Sequence, residues 1–263
     1  VKKPRPLRPV WPNAGLAAAY RRQMRRLIAE MADDYETVLA DQYEEKPPRM
    51  ATDATPAREL QRELRVLGDR WERRFNAAAP KLAKWFQQKA WQRSDAALRK
   101  ILRDAGMTVR YQMTPAMRDV VDAVVAENVS LIKSIGVEYH GQVEGLVMRS
   151  VTEGRDLAAL SRQLRKRFGV TQDRANLIAL DQNNKATTAL RRVRELDLGL
   201  EEGVWLHSKA GKEPRRTHLA NHGKRFNIRE GWYDPDPRVR RRIMPGELIR
   251  CRCTWRPVVK GFS

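Results

Sequence analysis

Cysteine is almost absent from this sequence. The 263 residues contain two, Cys251 and Cys253, too few and too close together for the disulfide framework of a small secreted domain. A reducing compartment is therefore expected. Acidic residues are also scarce, 32 against 52 basic ones, which leaves a formal charge of +20. Such a surface attracts polyanions by counterion release and long-range steering. It serves equally to keep a protein soluble or to dock it on an acidic partner. No apolar run approaches the roughly 20 residues that cross a bilayer, and the first residues lack the apolar core of a signal peptide. The expectation is no membrane contact and a chain made and used in a cytoplasm, or in something assembled there. Also missing are a glycine-rich phosphate loop ending in Lys and Ser or Thr, a nucleophile elbow and an HExxH helix. What is present is 41% hydrophobic residues, enough to bury a core in one large domain or two modest ones.

The spacing predicts a mainly α fold with an elongated helical N-terminal domain and a small C-terminal α+β domain. Residues 1–13 interleave Lys2, Lys3, Arg5 and Arg8 with four prolines, an extended basic arm that is either a solvated tail or a strap on a nucleic-acid or protein partner. Residues 14–200 read as helical. Apolar residues recur at helical spacing from Leu16 to about Tyr43. The prolines of 46–56 interrupt, and Pro80 is expected to divide the next stretch into two helices. Thr114 and Pro115 open another helix, in which Gly136 permits a break. A helix from about Arg155 to Phe168 is expected to end at Gly169, with Thr171 capping the next, which stops at Gly199.

The character changes at Gly203. Residues 203–259 are rich in glycine, proline and charge, and Ile249 to Pro257 alternate as a strand would. Ile249, Cys251, Cys253 and Trp255 point one way, and Arg250, Arg252, Thr254 and Arg256 the other. The outward arginines Arg250, Arg252 and Arg256 join the arm as candidate contacts to nucleic acid or a partner. His207, His218 and His222 fall in this segment with both cysteines. Thiolate and imidazole are the donors of structural zinc, and His218 and His222 would share a face if helical. The candidate ligands are His218, Cys251, Cys253 and His207. The bland alternative is that the cysteines are small buried core residues. No acidic residue is paired with these histidines by sequence, and Asp234 and Asp236, alternating with Pro235 and Pro237, read as a stiff turn, with a nuclease carboxylate pair as the alternative.

An ordered set of residues carries a resemblance. Trp205-Leu206-His207-Ser208 is followed by Lys212-Glu213-Pro214-Arg215-Arg216-Thr217-His218, Gly223, Pro245-Gly246-Glu247, Cys251-Arg252-Cys253 and Pro257-Val258-Val259. Before it stands a helix with Arg174-Ala175, Ile178-Ala179, Asp181-Gln182 and Asn184-Lys185. Together, over about residues 155–259, these resemble the head morphogenesis family typified by the F protein of phage Mu. Ala210 and Gly211 stand where many members have an aspartate, and His222 matches no family position. The resemblance implies a structural minor head protein rather than an enzyme, held in the virion at the portal or the major capsid protein, with packaged DNA nearby and roles in DNA packaging or ejection. It implies structural roles for Trp205, Arg215, His218, Gly223, Cys251, Arg252 and Cys253. The alternatives are a metal-dependent nucleic-acid-processing enzyme and a non-specific DNA-binding protein.

Overall fold

The computed structural model describes residues 5–45, 55–110, 112–154, 156–209 and 213–259. Lys2, Lys3, Ala210 and Gly211 lie outside them. Four long helices dominate: α1 (Ala14–Glu45), α2 (Thr55–Asp104), α3 (Pro115–Thr152) and α4 (Leu157–Asp197). Among the described residues, no helix is long and apolar enough to cross a membrane. The chain is mainly α, with a smaller mixed region at its C-terminal end.

Three of the four long helices begin on a side-chain cap. Asn13 Oδ1 accepts the Leu16 amide at 2.8 Å, Thr114 Oγ1 accepts that of Met117 at 3.3 Å, and Asp156 Oδ1 accepts that of Ala159 at 3.0 Å; each satisfies a first-turn donor. At the far end of α4, Gly199 adopts φ 72°. The Leu200 amide reaches back to the Glu195 carbonyl at 2.9 Å, the left-handed closure that glycine permits.

Three expected breaks do not occur. Pro80 lies inside α2, which runs unbroken for 50 residues. The proline forfeits one helical hydrogen bond, a cost of about 3 kcal/mol. The buried stripe Trp71, Phe75, Ala79, Ala83, Phe86 and Ala90 continues across it in register, and each large apolar side chain so covered contributes about 1.5–3 kcal/mol. Gly136 lies within α3 because a side chain there would collide: a Cβ would stand 2.7 Å from Phe75 Cδ2. Helix α4 likewise passes through Gly169. Thr171 caps nothing; its hydroxyl donates to the Arg167 carbonyl one turn back at 3.0 Å.

The chain divides into two compact units, one of residues 1–17, 85–125 and 179–263, the other of 18–84 and 126–178. The second is helical. In it, three tyrosines of α1 place their hydroxyls on polar groups of α3: Tyr20 on Asn128 at 2.7 Å, Tyr35 on His140 at 2.7 Å and Tyr43 on Ser150 at 2.9 Å. Asn128, on the apolar face of α3, is buried because Tyr20 meets it.

The first unit contains the strands β1 (Arg5–Pro6), β2 (Glu202–Leu206), β3 (Arg225–Asn227), β4 (Trp232–Asp234), β5 (Arg241–Ile243) and β6 (Thr254–Val259), with a short helix α5 (Arg216–Ala220) between β2 and β3. One sheet has the order β1-β6-β2-β3 and the other pairs β4 with β5, antiparallel throughout. Two expectations are corrected here. The arm is no free tail: β1 pairs with β6, the Leu7 amide donates to the Pro257 carbonyl at 2.8 Å, and Val10 is buried. The last strand begins at Thr254, not Ile249. Ile249 is 58% exposed, Thr254 is buried with Cys253 and Trp255 on either side of it, and Arg250 at φ 60° breaks the alternation.

At the centre of this unit lies a buried ion pair. Arg191 Nε donates to Glu195 Oε1, and its other nitrogens reach the Val10 carbonyl at 3.2 Å, Thr254 Oγ1 at 2.9 Å and the Trp255 carbonyl at 2.8 Å. The Trp255 indole donates to Glu195 Oε2 at 2.6 Å, and the guanidinium lies 3.9 Å from the Trp255 ring centroid. Burial pushes the Glu195 carboxyl pKa up and that of Arg191 down, each opposed by the other's charge. Glu195→Gln leaves the guanidinium buried beside a neutral amide. It should cost about 3–5 kcal/mol in urea unfolding of the full chain; a cost no greater than that of a surface pair, about 1 kcal/mol, would contradict this assignment.

Candidate metal centre

Four separate segments of the C-terminal region bring their side chains to one point. Helix α5 carries His218, β4 ends on Asp234, β2 supplies Trp205, and the turn before β6 supplies Cys251 and Cys253. His218 Nδ1 lies 3.5 Å from Cys251 Sγ and 3.7 Å from Cys253 Sγ. On the other side of the ring, Nε2 is 3.1 Å from Asp234 Oδ2. All four residues are buried, Asp234 completely at 0% exposure.

The orientation of the ring follows from its partners: Nε2 faces the Asp234 carboxyl and Nδ1 faces both sulfurs. Asp234 is itself fixed, because its Oδ1 accepts the Asp236 amide at 3.0 Å. The sulfurs share a proton unequally. A hydrogen bond from the Cys253 thiol, reinforced by His218, pulls the Cys251 thiol pKa well below its ordinary value despite burial. The Cys253 thiol is pushed up by Cys251 and by burial, with the Ser208 amide and the Trp205 indole opposing. Among the described residues, the buried Trp205 N–H meets no oxygen or nitrogen acceptor.

The surroundings explain why the point is so well defined. Trp205 and Trp232 stand edge-on to the His218 ring, with centroids at 5.2 and 6.2 Å. Helix α4 grips the turn that bears the cysteines: Asn184 donates to the Cys251 carbonyl at 2.8 Å, Asp181 accepts the Arg250 amide at 2.7 Å, and Thr188 donates to the Pro245 carbonyl at 2.7 Å. Burial raises the Asp181 carboxyl pKa, opposed by that amide and nearby cations. Gly246 (φ 88°) lets the turn pass: a Cβ there would stand 2.7 Å from Thr188 Oγ1. Arg215 ties α5 to the same turn through the Ile249 carbonyl at 2.9 Å. Gly223 at φ 81° returns its amide to the Trp205 carbonyl at 2.8 Å.

Of the residues singled out by sequence, Trp205, His218, Cys251 and Cys253 converge, and Arg215 and Gly223 hold the loops around them. Arg250, Arg252 and Arg256 are exposed. His207 lies outside the trio, half-buried, its Nδ1 accepting the Lys209 amide at 3.0 Å. The shared helix face expected of His218 and His222 is not formed, because α5 ends at Ala220; His222 Nδ1 accepts the His207 amide at 3.1 Å. The residue that sequence reasoning missed is Asp234. Its place between Tyr233 and Pro235 reads as a stiff turn, whereas in the fold it is the acidic partner of His218. Its only local signal was a place directly after the aromatic pair Trp232-Tyr233.

Among the described residues, His218, Cys251 and Cys253 form a group whose ligating atoms all lie within 4.8 Å of one another. Zinc bonds of about 2.0 Å to nitrogen and about 2.3 Å to sulfur, at a tetrahedral angle, hold N and S about 3.5 Å apart. The observed separations of 3.5 and 3.7 Å match that spacing. Two thiols and an imidazole are a zinc donor set, and a histidine whose far nitrogen is held by a carboxylate is the usual second partner of such a ligand. The trio is consistent with a structural zinc site.

Comparison with known proteins agrees with the geometry in singling out this region. Residues 141–256 match the family described as Phage Mu protein F like protein. An uncharacterized protein of Haemophilus influenzae (strain KW20/Rd) is 32% identical over 149 residues, which is 56% of this chain and 31% of that protein. The chain thus spans under a third of the length of this curated relative. No solved structure matches.

Asp234→Asn keeps the size of the side chain and removes the charge that orients and polarises His218. Zinc affinity, measured by chelator competition, should fall about 10–100-fold, while an unchanged affinity would show that the carboxylate does not act through the ring.

Proposed function

We propose that this chain, whose residues 141–256 belong to the Phage Mu F-like family, is a structural minor head protein of a tailed bacteriophage, assembled in the host cytoplasm and kept in the head at the portal or the inner face of the capsid. The observation that carries this reading is the family region itself, which coincides with the most elaborately braced part of the fold. The buried trio supports a structural role over catalysis. The His218 ring is flanked edge-on by Trp205 and Trp232, and the backbone leading to the cysteines is tied to α4 by three hydrogen bonds.

The charge suits the location. A net +20 chain inside a DNA-filled shell gains by replacing condensed counterions on phosphates, with no need to read sequence. Exposed Arg250, Arg252 and Arg256 lie on the turn and strand beside the centre and are the cations proposed to face DNA or the portal. Contact of this kind is compatible with roles in packaging or ejection.

A second reading has one specific observation in its favour. Two cysteines and a histidine leave a fourth position on a zinc ion, and in catalytic sites that position belongs to water. A metal-dependent nucleic-acid-processing enzyme would need it open.

The structural reading is tested by the abundance of this chain relative to the major capsid protein, in purified DNA-filled particles and in particles emptied of DNA. A few copies per head in filled particles are expected, retained on emptying if the chain is fixed and lost if it leaves with the DNA. Absence from filled particles would overturn the assignment as a head component.

A further inference from the structure

We infer that His207 is the fourth ligand of the zinc centre, closing it as a Cys2His2 site with no position for water; this rests on the reading of His218, Cys251 and Cys253 as zinc ligands. The inference comes from the register of the sheet. Strands β2 and β6 pair antiparallel, with Trp205 opposite Trp255 and Leu206 opposite Thr254. Continued by one residue, that register sets His207 opposite Cys253. Side chains alternate between faces, so residue 207 shares a face with residues 205, 253 and 255. Trp205, Cys253 and Trp255 are all buried on that face, which is the face of the trio.

One further contact holds this segment against the sulfurs: the Ser208 amide donates to Cys253. The His207 amide is anchored on His222 Nδ1 at 3.1 Å, so the backbone of the ligand is fixed. Nδ1 accepts the Lys209 amide, which leaves Nε2 as the coordinating nitrogen. His218, by contrast, binds through Nδ1, its Nε2 being committed to Asp234. His207 is half-buried, at the outer edge of a centre whose other three ligands are buried. This arrangement makes a closed, structural coordination shell and removes the open site that hydrolysis would use.

The test uses the full-length chain. Purified protein should contain equimolar zinc, and the cobalt-substituted protein should show the intense visible bands of a tetrahedral ion with thiolate charge transfer. His207→Ala, and His207→Gln as a second variant that keeps a polar side chain, should bind zinc at least about tenfold more weakly, as when a ligand is lost or loosened. Their cobalt bands should weaken, and added free imidazole should restore them. Wild-type affinity and spectrum in both His207 variants would overturn His207 as the ligand while leaving the trio intact. Purified wild-type protein that neither contains nor takes up zinc would overturn the trio itself.

Discussion

A guanidinium carried into a protein interior must find an acceptor for each of its donors or lose several kcal/mol to desolvation. Arg191 meets that requirement with parts that come from far along the chain. A carboxylate one helical turn away neutralises it, and the remaining donors take the Val10 carbonyl, the Thr254 hydroxyl and the Trp255 carbonyl. Thr254 Oγ1 in turn donates to the Val10 carbonyl at 2.9 Å. One side chain of α4 therefore fixes where the first residues and the last strand must run. The sheet follows from this, because β6 can lie between β1 and β2 only if its Trp255 is seated on Arg191 and Glu195.

The sheet has little apolar material of its own. Its core is Trp205, Phe226, Ile228, Ile243, Met244, Cys251, Cys253 and Trp255, and much of the segment between β2 and β6 is turns. Modules with so small a core ordinarily rely on a staple such as a metal or disulfides. Here the two cysteines are free and buried, and they meet a histidine held by a buried carboxylate. Arg191 braces the middle of β6 and the arm, and the His218 centre braces the turn that enters β6. Helix α4 serves both, presenting Asp181, Asn184 and Thr188 to the turn and Arg191 and Glu195 to the strand.

Helical periodicity was legible throughout, since apolar stripes such as Tyr20, Met24, Ile28 and Met31 report burial directly. Punctuation was not. Pro80, Gly136 and Gly169 carry local signals to stop, but tertiary contacts outweighed the first, Phe75 demanded the second, and nothing at the third required a turn. At Gly199 the same residue type does end a helix, because the chain has to leave α4 for β2. Cys251, Cys253 and His218 were legible as a group by residue type alone. Asp234 was not, since its pairing with His218 exists only once β4 and α5 have come together. The alternation from Ile249 to Trp255 misled because burial of the two cysteines beside His218 mimics the period of a strand.

The central claim is that the His218 centre holds this region folded. Amide hydrogen exchange of the full chain before and after zinc is withdrawn by a chelator tests it most directly. The account predicts loss of protection from Trp205 through Cys253 on chelation, with the Arg191 side of β6 and the helices of the other unit largely unchanged. Protection in 205–253 that is indifferent to zinc would contradict it.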